Sequence, residues 1–259
     1  MCVVFLALET HPRWRVVLAA NRDETYARPT APAGPWPECS GVIAGRDLTA
    51  GGTWLGATHD GRWTVVTNVR DIPAHRDSAR SRGALPAEFL CGDADAQAYA
   101  RQSFRDRAQY NPFNLLLADR EAVWYVSTHR AEPETLAPGI YGLSNATLGV
   151  PWPKVSRGRA ALAGLVSEDD IAPDDLFAVL RDAEPAPDEQ LPETGVGLAL
   201  ERTLSSIFIS SPDYGTRASS VLLLDREGGG LFVERTTTPG ASATERTFTL
   251  HPNSRAATL

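Results

Sequence analysis

The sequence is poor in the residues that build disulfide frameworks, metal clusters and basic surfaces. Its three cysteines, Cys2, Cys39 and Cys91, are an odd number and lack metal-ligand spacing. We therefore expect no disulfide framework, no metal site and a reducing, cytoplasmic location. The 25 Lys and Arg residues are outnumbered by 32 Asp and Glu residues, and the resulting net charge of −7 argues against a nucleic-acid partner.

Long apolar runs are absent as well, and so are internal repeats. No stretch approaches the ~20 apolar residues that cross a bilayer, so we expect no membrane span. The first apolar run has no basic residues before it and stops at Glu9, which makes it too short for a signal peptide. The chain also lacks a nucleophile elbow, a complete phosphate loop and a His-Glu-x-x-His zinc motif, which argues against the enzyme classes that depend on them.

The composition that remains is ordinary for a globular protein. Hydrophobic residues make up 42% of the 259 residues, and apolar runs occur on both sides of the proline-rich stretches at 26–40 and 183–197. The sequence therefore predicts one domain over residues 1–259, with those two stretches as loops. Residues after Pro252 are expected to fray.

Hydrophobic spacing predicts the secondary structure. Apolar positions at three- and four-residue intervals indicate four helices, at 81–90, 94–110, 153–166 and 173–181. Short runs rich in branched and aromatic residues indicate strands at 3–8, 14–20, 41–45, 53–58, 62–69, 113–118, 122–127, 140–145, 204–211, 218–225, 231–237 and 244–250. Runs of strands separated by helical pairs predict an α+β fold, a four-layer α-β-β-α sandwich of two antiparallel sheets.

Cys2 begins the first strand, and the second strand ends in Asn-Arg-Asp-Glu at 21–24. An antiparallel pair places these groups at one edge of a sheet. Methionine aminopeptidase removes Met1 when the next side chain is small, and Cys2 would then carry both a thiol and a free α-amine. Because such an amine has a pKa near ~7.7–8.0, it can serve as the base for the thiol. Taken alone, Cys2 is more typical of a small residue that starts a buried strand.

Polar residues at other strand ends can supply the remaining groups that acyl transfer needs. Asp23 can accept a hydrogen bond from the α-ammonium group, and Asn68 can donate one to the oxyanion. Arg22 can lower the thiol pKa or bind a substrate carboxylate. Asn145 and Arg217 can orient the acyl or amide portion of the substrate.

Each of these residues also has an ordinary structural explanation. An asparagine at a strand end is most often a turn residue. The Asn-Arg-Asp-Glu sequence could hold a solvated salt bridge, worth roughly 0–1 kcal/mol. For Arg22 and Asp23 the functional and structural interpretations are about equally strong, because both end a strand that should lie beside Cys2.

Seven motifs together resemble a known family. They are Met-Cys at 1–2, Asn-Arg-Asp-Glu at 21–24, Gly-Gly-Thr-Trp-Leu-Gly at 51–56, Thr-Asn-Val-Arg at 67–70, Gly-Leu-Ser-Asn at 142–145, Trp-Pro-Lys-Val at 152–155 and Tyr-Gly-Thr-Arg at 214–217. This set resembles the NRDE family, also called the Transport and Golgi Organisation protein 2 family. That family is similar in turn to the N-terminal nucleophile hydrolases, particularly the choloylglycine hydrolases and penicillin V acylases.

The resemblance implies a set of catalytic residues. That hydrolase branch keeps an N-terminal cysteine, an aspartate, an oxyanion-hole asparagine, a second asparagine and a late arginine, which correspond here to Cys2, Asp23, Asn68, Asn145 and Arg217. One feature departs from the branch, which has an arginine three residues before its aspartate, where this chain has Ala20. We expect Arg22, Asn21 and Trp54 to contact the substrate.

Two functions are consistent with these residues. The first is an N-terminal cysteine amidohydrolase that cleaves a non-peptide C–N bond in a small amide or acyl substrate, without a cofactor. The alternative is a binding and trafficking protein on the same fold, which carries haem or an acyl lipid such as acyl-CoA, with Cys2 or His59 as the haem ligand. A purely structural role as a trafficking adaptor has no sequence feature in its favour, and the sequence does not predict an oligomeric state.

Overall fold

Two antiparallel sheets stack face to face in the computed structural model, which describes residues 2–238 and 240–251. With strands numbered in chain order, the first sheet contains, in spatial order, β10 (Gly139–Leu143), β1 (Cys2–Leu8), β2 (Trp14–Thr25), β11 (Tyr214–Asp225), β12 (Gly230–Thr236) and β13 (Thr244–Leu250). The second sheet contains β3 (Thr30–Pro35), β4 (Val42–Asp47), β5 (Leu55–Thr58), β6 (Trp63–Asn68), β7 (Phe113–Ala118), β8 (Val123–Ser127) and β9 (Glu134–Thr135).

Helices cover the outer faces of both sheets. They are α1 (Ala84–Cys91), α2 (Ala96–Arg105), α3 (Pro153–Leu165), α4 (Pro173–Leu180) and α5 (Leu198–Leu204), with short 3-10 turns at Asp106–Gln109 and Asp188–Gln190. The sides of α1 and α2 pack on the second sheet, and those of α3 and α4 pack on the first. The predicted four-layer α+β sandwich is therefore confirmed.

Alternation along β1 explains why a strand at this position is apolar on both faces. Val4 and Leu6 point into the core between the two sheets. Val3 and Phe5 point outward, into the core beneath α3 and α4. Gly158 lets α3 lie directly on this strand, because a Cβ atom there would fall 2.0 Å from Phe5 Cζ. The same contact fixes the start of α3, which carries Lys154.

The pairing of β1 with β2 agrees with the sequence. Cys2 lies opposite Arg22, and the register continues to Leu8 opposite Val16. The reversal between the strands is closed by a backbone hydrogen bond from Glu9 to Arg15, with Glu9 at a φ of 54°. The start of β1 and the end of β2 therefore share one edge of the sheet.

Two sequence predictions of secondary structure are wrong. The predicted strand at 204–211 is instead an irregular segment that follows α5 and makes one isolated bridge, from Ser210 to Gly215. A full strand cannot form there because β11 already pairs with β2 on one side and β12 on the other. The proline-rich stretch at 26–40 is not all loop, since it contains the edge strand β3, a position that tolerates proline.

The expectation of no disulfide is also wrong. Cys39 and Cys91 form a disulfide with a Cα–Cα distance of 5.3 Å, and Cys2 is the free cysteine. The bond joins the segment before β4 to the last residue of α1. The two cysteines are 52 residues apart in sequence, and only the packing of α1 on the second sheet brings them together.

Within residues 2–238 and 240–251, none of the helices is both long enough and apolar enough to span a bilayer. Met1 and the tail from Pro252, which was expected to fray, lie outside the described residues.

Candidate functional site

The candidate site lies at the shared edge of β1, β2 and β11. Cys2 is half-buried beside Arg22, and Asp23 lies opposite Thr216 of β11. The Thr216 hydroxyl donates a hydrogen bond of 2.8 Å to Oδ1 of the fully buried Asp23. The backbone N–H of Asp23 also donates a hydrogen bond to the sulfur of Cys2. The sheet register thus brings the predicted nucleophile and the predicted acidic residue together.

The thiol of Cys2 needs a base. Burial raises the pKa of the Cys2 thiol, and the negative charge of Asp23 raises it further. The guanidinium of Arg22 and the backbone hydrogen bond from Asp23 lower this pKa without cancelling the effect of burial. The thiol is therefore protonated at neutral pH and reacts as a thiolate only if a neighbouring group removes its proton.

Lys154 balances the charge of Asp23, and sequence reasoning gave it no role. Burial raises the pKa of the Asp23 carboxyl, and the charge of Lys154 acts in the opposite direction. Lys154 is itself buried at the start of α3, where Nζ donates to the carbonyl of Leu204 at 2.8 Å, and burial lowers its pKa to about 8. One feature of the sequence could have indicated this role: Lys154 is the single lysine of the chain and lies in an apolar stretch.

Asn68 is the last residue of β6 and Asn145 follows β10 of the other sheet, yet the two residues are connected. Nδ2 of Asn145 donates to the backbone carbonyl of Asn68 at 3.0 Å. The Ser144 hydroxyl lies 3.1 Å from the carbonyl oxygen of Cys2 and 3.3 Å from Oδ1 of Asn145, and its one proton can be donated to either acceptor. Asn145 thus holds the end of β6 in place next to Cys2. The side-chain amide of Asn68 makes no hydrogen bond to another described residue and is available to a ligand.

A cavity of about 290 Å³ opens in front of these groups. Cys2, Asp23, Asn68, Arg22 and Trp54 all contribute to its lining. The guanidinium of Arg22 lies 4.7 Å from the ring centroid of Trp54. Its Nη2 atom also lies 3.6 Å from Asp47 and 3.7 Å from Glu24, so the charge of Arg22 is balanced by carboxylates within the cavity.

Three predicted residues lie outside the lining of this cavity: Asn145, described above, Arg217 and Asn21. Arg217 follows Thr216 at a register shift in β11, and its Nη1 donates to the carbonyls of Thr25, Tyr26 and Arg28 at 2.9–3.2 Å. It therefore holds the turn after β2. The amide of Asn21 points to the helical side of the sheet, where it donates to two backbone carbonyls and accepts from the Ser219 hydroxyl.

The cavity has a wall that sequence reasoning missed. Residues 79–83, between β6 and α1, line it and contribute the side chains of Arg80 and Arg82. This segment is attached to the second sheet by a hydrogen bond from the Thr53 amide to the Gly83 carbonyl, at 3.1 Å. No local sequence signal places it there, because its position depends on where α1 packs.

The two residues predicted as alternative haem ligands, Cys2 and His59, line different cavities. His59 lines a separate cavity of about 940 Å³, on the side of the Cys39–Cys91 disulfide. Cys2 lines the smaller cavity described above. One haem could therefore be ligated by one of these two residues but not by both.

The fold is similar to that of solved N-terminal nucleophile hydrolases. An ortholog of N-acylethanolamine-hydrolyzing acid amidase from Caenorhabditis elegans aligns with a TM-score of 0.51 and 10% identity, over 86% of this chain and 92% of that chain. A variant of the conjugated bile acid hydrolase from Clostridium perfringens aligns with a TM-score of 0.55 and 10% identity, over 95% of this chain and 92% of that chain. At such identities the likeness establishes the fold alone.

Sequence comparison establishes the family. The Transport and Golgi organisation 2 homolog of Bos taurus is 36% identical over 260 residues, which cover 91% of this chain and 92% of that protein. The human homolog is 34% identical over 256 residues, with the same coverage of both chains. The model of the family described as Transport and Golgi organisation 2 matches residues 1–239. The chain therefore belongs to the Transport and Golgi organisation 2 family.

Proposed function

We propose that the protein is an N-terminal cysteine amidohydrolase that cleaves the C–N bond of a small, non-peptide amide. The observation that carries this proposal is that Cys2 and the buried Asp23 lie at the same end of two paired strands, at the mouth of a cavity that Asn68 also lines. A buried carboxylate is costly to keep even when a buried lysine balances its charge, so its position beside Cys2 supports a role beyond packing.

The proposed reaction begins after removal of Met1, which leaves a free α-amine on Cys2. This amine takes the thiol proton, and Sγ attacks the amide carbon to form a tetrahedral intermediate. The Asn68 amide donates a hydrogen bond to the oxyanion. The C–N bond then breaks, the α-ammonium returns the proton to the departing amine, and a thioester remains on Cys2. Water adds to the thioester, which releases a carboxylic acid and restores the thiol.

Asp23 and Lys154 act on this reaction through electrostatics. A carboxylate at Asp23 accepts a hydrogen bond from the α-ammonium and stabilises the positive charge that forms there. Lys154 favours the ionised form of Asp23, which burial alone would disfavour. Asn145 is a positioning residue, because it holds the backbone of Asn68.

Acylation of Cys2 tests the proposal. A β-lactone that bears a short alkyl chain opens on attack by a thiolate, and the whole lactone mass is added to the protein as a thioester. We expect one such addition to the unaltered protein, and none to Cys2→Ala, by intact-mass spectrometry. Cys39 and Cys91 do not compete, since they are joined in a disulfide. Equal labelling of Cys2→Ala and of the unaltered protein would overturn the proposal.

A further inference from the structure

The cavity in front of Cys2 is lined by four arginines, and three of them are paired with carboxylates. Arg22 lies 3.6 Å from Asp47, and Arg28 lies 2.7 Å from the same carboxylate. Arg80 forms an ion pair with Glu88.

Arg82 is the exception. Its Nη1 atom donates to the backbone carbonyl of Pro112 at 3.1 Å. Among the residues that the structure describes, no carboxylate forms an ion pair with it, and its remaining N–H groups make no hydrogen bond. Burial lowers the pKa of Arg82, yet a guanidinium remains protonated at neutral pH. The carboxylate of Glu24 acts on Arg82 without forming an ion pair with it. A partly buried guanidinium without an ion-pair partner of its own gains free energy when an anion arrives.

Arg82 lies close enough to the nucleophile to act on the same ligand. Cys2 and Arg82 both line the 290 Å³ cavity, and the charges of the two groups interact. The segment that carries Arg82 is fixed by the hydrogen bond between Thr53 and Gly83. Gly52 allows this close approach, because a Cβ atom there would fall 2.3 Å from the Gly83 carbonyl oxygen. The guanidinium is therefore presented to the cavity from a constrained backbone.

We propose that Arg82 binds a carboxylate of the substrate while Cys2 attacks the neighbouring amide, so that the substrate class is an anionic amide. This inference rests on the proposed function. The planar fork of a guanidinium matches a carboxylate with two parallel hydrogen bonds. A cavity of about 290 Å³ is at the small end of ligand sites, which favours a compact carboxylate over a bulky polyphosphate.

Two thiol-reactive probes that differ in one group test the proposal. Chloroacetylglycine carries a carboxylate, whereas chloroacetylglycinamide carries a neutral amide in its place. In both, the Cys2 thiolate displaces chloride and forms a thioether. Cys2 is the free cysteine of the chain, so the rate of mass addition reports on this residue. We expect the carboxylate probe to react about tenfold faster, as one charge-assisted pair of hydrogen bonds allows.

Substitution at Arg82 should remove this preference. Arg82→Gln should react with both probes at similar rates, and Arg82→Lys should keep part of the preference because it keeps the charge. Arg13→Gln is the matched control, since Arg13 is an exposed arginine that pairs with Asp170 and does not line the cavity. It should behave as the unaltered protein does.

The outcomes separate this proposal from the proposed function. Equal rates for the two probes on the unaltered protein would overturn the carboxylate proposal and leave Cys2 as a nucleophile. A preference that survives in a folded Arg82→Gln variant would do the same. If neither probe modifies Cys2, the proposed function fails, and the assignment of an anionic substrate fails with it.

Discussion

At the scale of single residues, Glu234 is a buried carboxyl group that connects the two sheets. Its Oε1 atom accepts a hydrogen bond of 2.6 Å from the Ala33 amide of β3, and Oε2 accepts from the Ser220 hydroxyl at 3.4 Å. Glu234 lies on β12, so the contact crosses from one sheet to the other. Burial raises its pKa to about 7 from 4.5, which leaves the group protonated in weakly acidic solution.

Glu234 should make stability depend on pH. Its pKa is higher in the folded protein than in the unfolded chain, so between pH 4.5 and 7 the folded state binds more protons. The free energy of unfolding therefore falls as pH rises through that range, by at most about 3 kcal/mol. Urea unfolding at pH 4.5 and pH 8 measures this. Glu234→Gln should lack that part of the pH dependence, and identical pH profiles for the two proteins would contradict the assignment.

Several site residues could be predicted from the sequence, and the reason is local. Cys2, Asp23 and Arg22 were placed together because pairing of two adjacent strands fixes their positions. The strand pairing does not by itself predict which way each side chain points. Asn21 points to the helical side of the first sheet, and its hydrogen bonds are made within the protein. A residue lines the cavity only if it lies near the right end of its strand and its side chain also points to the face on which the cavity lies.

At the scale of elements, the shape of the cavity depends on how closely residues 79–83 approach Gly52 and Thr53, which precede β5. The motif Gly-Gly-Thr-Trp-Leu-Gly at 51–56 leads into β5 and is one of the motifs that carry the family resemblance. In the structure, Gly52 is a point of close contact between two backbones. The need for glycine is steric and lies in the contact with Gly83, which sequence spacing does not reveal.

Gly52→Ala should destabilise the protein and displace the wall that carries Arg82. The added Cβ would lie 2.3 Å from the Gly83 carbonyl oxygen, and backbone atoms cannot rotate away as a side chain can. We expect a loss of roughly 1–3 kcal/mol in the free energy of unfolding, together with slower reaction of the carboxylate probe.

The matched control for Gly52→Ala is Gly164→Ala in α3, where nothing lies within 4 Å of an added Cβ. Alanine is the better helix former, so that change should be neutral or stabilising. Thermal unfolding of both variants provides the comparison. Equal stability of Gly52→Ala and the unaltered protein would show that the contact can relax.

The predicted strand at 204–211 does not form, and the reason lies in how the elements pair. Ile207 and Ile209 are buried and alternate as strand residues do, but both neighbours of β11 are already occupied. The preceding residues form α5 instead and place Glu201 2.7 Å from Arg70. A strand pattern predicts a strand only where an edge is free to pair.

At the scale of the whole molecule, the Cys39–Cys91 disulfide joins the second sheet to its helical layer. Removing it should lower the free energy of unfolding by roughly 2–4 kcal/mol, as expected for a loop closed over 52 residues. The double variant Cys39→Ser, Cys91→Ser tests this by chemical denaturation. Its folded form should still react at Cys2, and unchanged stability would contradict the structural role.

The two sheets and most of their strands could be predicted because each strand carries its own pattern, and the order of strands and helical pairs along the chain indicated the layers. The disulfide and the arginine-lined wall could not be predicted. Both depend on where α1 lies, and Cys39 and Arg82 reach their partners only through that packing. Contacts made across the layers are set by the assembled fold and not by any local stretch.

The central claim is that Cys2 is a nucleophile that carries its own base. Tandem mass spectrometry of the N-terminal peptide, after the purified protein has reacted with the β-lactone probe, tests this most directly. The account predicts a peptide that begins at Cys2, lacks Met1 and carries the acyl group on the sulfur. A peptide that retains Met1, or an acyl group attached at a different residue, would contradict it.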